Sequence, residues 1–255
     1  MWRALRIAVL STVLVVVAAG AWVDRRRTTD WDSTLWIGIF PLAADASPAT
    51  RRYVDGLRDE QFESIAAFFE REARQHAITL ARPVRIQRYP AVRELPPRLE
   101  RDAGVFGSMA WSLRMRAYAW QHAGETLADI RVFVLYHDPE STTAVPHSLG
   151  LQKGLLGVVY AFADPDMDGR NAIVVAHEVM HTLGATDKYD PASGLPRYPD
   201  GYAEPAARPR FPQAAAEIMA GRIAVAADEA EMPDSLEDVV VGDTTAAEIR
   251  WRNAP

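Results

Sequence analysis

His177 and His181 stand four residues apart with Glu178 beside them, in the stretch Ala176-His177-Glu178-Val179-Met180-His181-Thr182-Leu183-Gly184-Ala185-Thr186-Asp187. On a helix, residues i and i+4 share a face, so both imidazoles can point at one metal ion with the carboxylate next to it. Two neutral ring nitrogens as ligands and a carboxylate as base for water are the parts of a zinc hydrolase. The flanking residues agree. Ile173, Val174, Val175, Ala176, Val179, Met180 and Leu183 cover nearly the whole circumference of such a helix. Only the arc holding His177, Glu178 and His181, with Thr182 at its edge, is polar. A helix apolar almost all round is a buried one, and polar side chains on it need a common partner.

A shuffled chain of this composition shows His-acid-x-x-His roughly once in fifty tries, so the short motif alone is only moderately specific. Gly184 and Asp187 extend it to His-Glu-x-x-His-x-x-Gly-x-x-Asp, which lowers the chance level to roughly one in several thousand. Glycine adopts the left-handed conformation at little steric cost, so a helix can stop and turn back at Gly184, from where Asp187 can reach the same metal. This long motif resembles the signature of the metzincin metallopeptidases, whose usual third ligand is His; Asp in that place is similar to the snapalysin-type variant. Metzincins also carry a Met-containing turn beneath the metal, and Glu217-Ile218-Met219-Ala220-Gly221 looks like it, with Met219 in the structural position. The resemblance spans residues 171–221 and implies a zinc-dependent endopeptidase of α/β (α+β) metzincin-like fold. It implies a twisted mixed sheet with two or more helices, a buried active-site helix, and an irregular C-terminal part with a Met-turn and a final helix.

The metal ligands on this reading are His177, His181 and Asp187, with Glu178 as general base. Asp190, Glu204 and Glu217 are the alternatives for the third ligand. One catalytic Zn²⁺ is the expected cofactor and a peptide or protein the expected substrate. Two rival functions share these residues: a non-catalytic, membrane-tethered domain that keeps a metal for folding, and a zinc amidase acting on cell-wall peptides. Glu178 favours catalysis, because a structural site has no need of a carboxylate beside its histidines.

The elements that must position this helix are legible in outline. Residues 36–41 read as a first strand, 51–77 as one amphipathic helix, 84–89 as a strand and 111–122 as a second helix. Residues 130–136 and 155–163 are rich in β-branched and apolar side chains and read as strands, the second near-continuously apolar and so central. Thr245-Ala246-Ala247-Glu248 looks like a capping box opening a last helix. His137 and His147 fall in a polar loop, and His76 and His122 within helices; none has a ligand partner at a recognisable spacing. Asp164-Pro165-Asp166-Met167-Asp168-Gly169 matches the first half of a calcium-binding EF-hand loop, but position 12 is Val175 where a Glu is required. A turn into the metal helix, capped by Asp168 or Asn171, explains the same residues without Ca²⁺. The proline-rich stretch from Pro191 to Pro212 leads from the ligands to the Met219 turn, and Tyr189 or Tyr202 there is a candidate to stabilise an oxyanion.

At 255 residues, 49% hydrophobic and 24% charged, the chain can bury one substantial core. A net charge of −6 points away from a nucleic-acid partner, and with no cysteine there is neither a disulfide nor Cys-ligated zinc. Residues 1–23 stand apart: Arg3 and Arg6 precede 17 uncharged residues, Ile7 to Val23. This is either a signal peptide cut near Ala19-Gly20-Ala21 or a retained membrane anchor, and both place the rest outside the cytoplasm. Residues 24–34 are then a linker and 35–255 a single domain, divided at residue 184 into an α/β part and a C-terminal part.

Overall fold

A computed structural model of the chain describes residues 29–99, 104–142, 145–146, 148–151 and 155–252; the apolar run 7–23 and His147 lie outside these. One five-stranded sheet organises the molecule. Its order is β2 (Val84–Arg88), β1 (Leu35–Ala43), β3 (Ile130–His137), β5 (Leu156–Phe162) and β4 (Leu149–Leu151). The first four run parallel, while β4 pairs antiparallel with β5 at the edge. Parallel neighbours need crossovers, and helices supply them on both faces. On one face lie α1 (Pro48–Gly56), α2 (Glu63–Gln75) and α4 (Asp168–Leu183); α3 (Gly104–Ala123) covers the other.

The period-two alternation of the strands splits the core accordingly. Ile37, Ile39, Val132, Val134 and Val159 face Phe68, Phe69, Ile173 and Val179. Their neighbours Phe40, Leu42, Phe133, Leu135 and Val158 face Trp111, Met115 and Tyr118 of α3. The mixed α/β architecture therefore agrees with the sequence reading.

Three expected boundaries move. The single helix over residues 51–77 is two, because Leu57 turns extended and a 3₁₀ turn over Asp59–Phe62 follows. That break lets both Leu57 and Phe62 reach the core. α3 starts seven residues before Trp111. Trp31, in the stretch expected to be linker, is buried against Trp251 and donates from Nε1 to the Ile249 carbonyl at 2.8 Å.

Beyond α4 the chain is irregular, as its composition implies. Two short pairings, β6 (Ala216–Glu217) with β9 (Val239–Val240) and β7 (Ile223–Ala224) with β8 (Ala230–Glu231), tie it down before α5 (Asp243–Glu248). The expected capping box is absent. Thr245 lies inside α5 and gives its hydroxyl to Glu217, while the Glu248 carboxylate accepts from Thr186 N, Thr186 Oγ1 and Lys188 Nζ.

Candidate active site

α4 carries the site, and its two ends show why it sits where it does. At the start, Asp164 accepts from Asp166 N and opens a 3₁₀ turn into the helix. Asn171 pairs in both directions with the backbone of Phe162, at 3.1 and 2.9 Å, fastening the helix to the end of β5. Asp168 is no cap, for its carboxylate takes the hydroxyl of Tyr53. The three aspartates of the EF-hand-like stretch are thus spread over a turn and a helix. Among the described residues, the group of His, Asp or Glu side chains with converging ligand atoms is His177, Glu178 and His181. At the far end Gly184 takes a φ of +108°, and Ala185 N returns to the Met180 carbonyl at 3.0 Å, so the chain reverses toward the imidazoles.

Each histidine has one nitrogen spent. His177 Nδ1 lies 2.9 Å from the Ile218 carbonyl and His181 Nδ1 2.9 Å from the Ala185 carbonyl. A carbonyl only accepts, so both Nδ1 atoms carry hydrogen and both Nε2 atoms are left as lone-pair donors. Those Nε2 atoms converge on one oxygen, Asp187 Oδ1, at 3.3 and 3.1 Å. Two lone pairs and a carboxylate facing one another repel unless a positive charge stands among them: a proton on an imidazole, or a cation. Glu178 is buried, and its ligand atom lies with those of the histidines inside a 4.8 Å span. Two imidazole nitrogens and a carboxylate oxygen form a donor set suited to zinc, and they fit an ion that leaves one position open.

The electrostatics follow. Burial disfavours a charged His177, yet its hydrogen bond to Asp187 and the field of Glu178 raise its pKa above the ordinary value. Burial would lift the Asp187 carboxyl, but the two imidazoles hold it well below the usual carboxylate range. Tyr189, hydrogen-bonded to Asp187, is raised by burial and then by the charges of Asp187 and Glu178, so its phenol stays protonated.

The alternative ligands are elsewhere. Asp190 Oδ1 is occupied by Ala192 N and Ser193 N of its own loop. Glu204 lines a separate hollow with Asp200, Tyr202 and Thr244. Glu217 is fully buried beneath the 217–221 turn; Oε2 accepts from Met219 N and Ala220 N, and Oε1 from Gly242 N and Thr245 Oγ1. Burial pushes this carboxyl up while the donors around it pull it down. Its task is to hold the turn, whose Ile218 carbonyl orients His177. Met219 is fully buried in the core shared with α4, and its carbonyl receives Lys188 N at 2.9 Å, binding the segment after Asp187 to the turn. Tyr202 is packed between Tyr198 and Phe211, away from the ligands.

A cleft of about 650 Å³ opens over these groups, walled by Tyr160, Ile173, Val174, Tyr189, Pro191 and Met232 among others. One wall is β4, and the sequence did not mark it. A Cβ on Gly150 would stand 2.5 Å from His181 Cβ and 2.6 Å from the Glu178 carbonyl oxygen, closer than real contacts allow. Only glycine lets this edge strand lie directly on the helix. The other residues the sequence did not single out are Ile218 and Glu72. Glu72 is buried in α2, where its Oε2 accepts from Val241 N and so fastens β9 and the turn. An acid at i+7 from Ile65, on the apolar face of a helix, was the readable signal.

No family model matches the chain, and no curated protein matches it. Among solved structures, wild-type OgpA from Akkermansia muciniphila aligns at 14% identity with a TM-score of 0.42, over 87% of this chain and 62% of that one. A catalytically inactive OgpA in complex with an O-glycopeptide substrate aligns at 10% identity and a TM-score of 0.34, over 84% and 58%. The chain thus spans about three-fifths of the length of that protein. With likeness at this level, the site is read from its own geometry.

Proposed function

We propose that the chain is a zinc-dependent metallopeptidase of metzincin type, exported and held at the membrane by residues 7–23. The observation that carries this is the convergence of the His177 and His181 Nε2 atoms on Asp187 Oδ1, with both Nδ1 hydrogens already committed to backbone carbonyls and Glu178 alongside. His177, His181 and Asp187 would hold the ion. When bound, it supplies Lewis acidity, which acidifies water and polarises a scissile carbonyl. Glu178, lodged between helix and edge strand, accepts a proton from the attacking water and returns it to the leaving amine. Tyr189 lines the cleft with its phenolic hydrogen on Asp187, and by turning from Asp187 it can donate to the oxygen on which charge develops. The 217–221 turn, with Met219 at its centre, keeps His177 oriented throughout.

Metal analysis and casein-type proteolysis of the full chain beside Glu178→Gln and Asp187→Ala test this. The expected result is one zinc per chain in the parent and in Glu178→Gln, with activity reduced by about 10²–10⁴ in the latter. Asp187→Ala should bind zinc poorly. Full zinc retention in Asp187→Ala would remove it from the ligand set, and unchanged activity in Glu178→Gln would end the peptidase reading.

A further inference from the structure

α3 is apolar on two opposite faces. At 100° per residue, Trp111, Met115 and Tyr118 fall on one arc, the one buried against the sheet. Met109, Leu113 and Trp120 fall on the opposite arc and are 59%, 65% and 80% exposed; Leu127, just past the helix, is 85% exposed. Six large hydrophobic side chains are exposed among the described residues; three of them lie on this strip and a fourth, Leu127, follows within four residues of the helix end. Single exposed apolar residues are ordinary, but a strip gathered on one helix face marks a surface that something covers.

Two observations say what covers it. The first is charge. The 20 residues of α3 contain no Asp or Glu, although 34 of the chain's 255 residues are acidic, and they carry Arg114 and Arg116. In a chain of net charge −6 this helix carries two arginines and no acid, with Arg116 at the border of the apolar strip and Arg114 exposed on its flank. That is the pattern of a helix lying in a bilayer interface, with Trp at headgroup level. No helix of the described residues is long and apolar enough to cross a membrane, so α3 would lie on a bilayer and not through it.

The second is where the apolar run 7–23 joins the domain. Trp36 at the start of β1 pairs with Asp129: Trp36 N donates to the side-chain Asp129 Oδ2 at 2.9 Å, and Asp129 N donates to the Trp36 carbonyl at 2.8 Å. The described chain begins earlier, at the buried Thr29, and Trp31 packs on Trp251; Leu127 lies two residues from the Trp36–Asp129 pairing. The last turn of α3 is at the same edge, since the Ala123 carbonyl accepts from Arg131 Nε at the start of β3. Residues 24–34 reach at most about 40 Å when extended, and the burial of Trp31 shortens the free part. A retained anchor would hold the domain close to lipid, within reach of that short connection.

We propose that the outer face of α3, continued by Leu127, docks onto an anionic lipid surface. Met109, Leu113, Trp120 and Leu127 enter the interface, and the exposed Arg114 meets the headgroups, with Arg116 at the border. This rests on residues 7–23 being a retained anchor and is independent of the peptidase reading. Because α3 and α4 cover opposite faces of the sheet, the cleft is turned toward water, away from the bilayer.

The chain has no cysteine, so single substitutions give unique spin labels. The full chain is reconstituted in phosphatidylethanolamine–phosphatidylglycerol vesicles with a nitroxide on Leu113→Cys, Trp120→Cys or, as a control on exposed α2, Arg74→Cys. The vesicles are floated, and oxygen and nickel-chelate accessibility are measured. The expected result is co-flotation with oxygen-over-nickel ratios shifted toward lipid at 113 and 120 and an aqueous ratio at 74. Aqueous ratios at all three sites in floated vesicles would overturn the docking face and leave the anchor standing. Failure to float would overturn the anchor and this proposal with it. Shielding of 113 and 120 from both reagents, unchanged by lipid, would overturn it in favour of a second copy or another protein.

Discussion

α4 and α3 lie on opposite faces of one sheet and are both apolar over most of their circumference, yet they end differently. α4 is enclosed on every side, by the sheet, by α2, by β4 and by the C-terminal segments, and its one polar arc is the candidate site. α3 is enclosed on one side only, and its second apolar arc meets solvent. Apolar residues all round a helix therefore state that the helix is covered, without stating by what. In α4 the cover is other parts of the chain, and the exceptions to apolarity form the candidate site; in α3 no described residue covers the outer arc.

The comparison can be broken most severely at Gly150, where the cover of α4 is closest. In Gly150→Ala the new methyl has backbone on one side and His181 on the other, so strand or helix must shift. Overpacking of this kind costs about 1–3 kcal/mol, and a displacement of about 1 Å in catalytic groups lowers turnover about 10²-fold. Thermal unfolding and proteolysis assays should both register the change; wild-type values would show that β4 does not press on the site. Glu217→Gln comes next. Its amide nitrogen must face donors on one side or the other, leaving buried N–H or O–H groups unmatched at about 1–3 kcal/mol. Through the Ile218 carbonyl it should also weaken zinc binding by about 10–100-fold, measurable by competition with a chelator.

Removing the metal exposes a smaller effect with a definite sign. His177, raised from 6.5, contributes stability that is complete below that value and lost as pH rises through its folded value. Asp187, lowered from 3.8, contributes stability that is present above that value and lost as pH falls. Chelator-treated protein should therefore gain from this cluster between about pH 4 and 6.5, and the gain should vanish in Asp187→Asn when melting is followed against pH. The least effect belongs to α3: Leu113→Gln with Trp120→Gln should leave stability in water within about 0.5 kcal/mol and the hydrolysis of a soluble peptide unchanged. A large loss would mean the outer arc is covered by the chain itself.

What could be read in advance follows the range of the interactions. The helix of the two histidines, its stop at Gly184 and the apolar strands are local patterns, and they appear where periodicity placed them. The break at Leu57 was hidden because the residues on either side continue one apolar spacing, and only the position of the sheet shows that two elements are needed to fill it. Asp187 lay within reach of the histidines by chain length alone. Glu72 showed locally only as an acid on an apolar helix face, and Glu217 only as a rival ligand, because the donors Val241 N, Gly242 N and Thr245 Oγ1 that complete their bonds lie far along the chain. Glu248 was misread for the same reason: three residues from Thr245 it suggests a cap, whereas Thr186 and Lys188, some sixty positions away, claim it.

The carboxylate of Glu217 draws one pair of its hydrogen bonds from the 217–221 turn and the other from Gly242 and Thr245, near the end of the described chain. During synthesis the histidine helix precedes Gly242 and Thr245 by some sixty residues, so the carbonyl that steers His177 has no fixed place until those donors arrive. On the proposed reading, a chain that stops short of Gly242 would lack the anchored turn, and with it the means to hydrolyse itself or its neighbours.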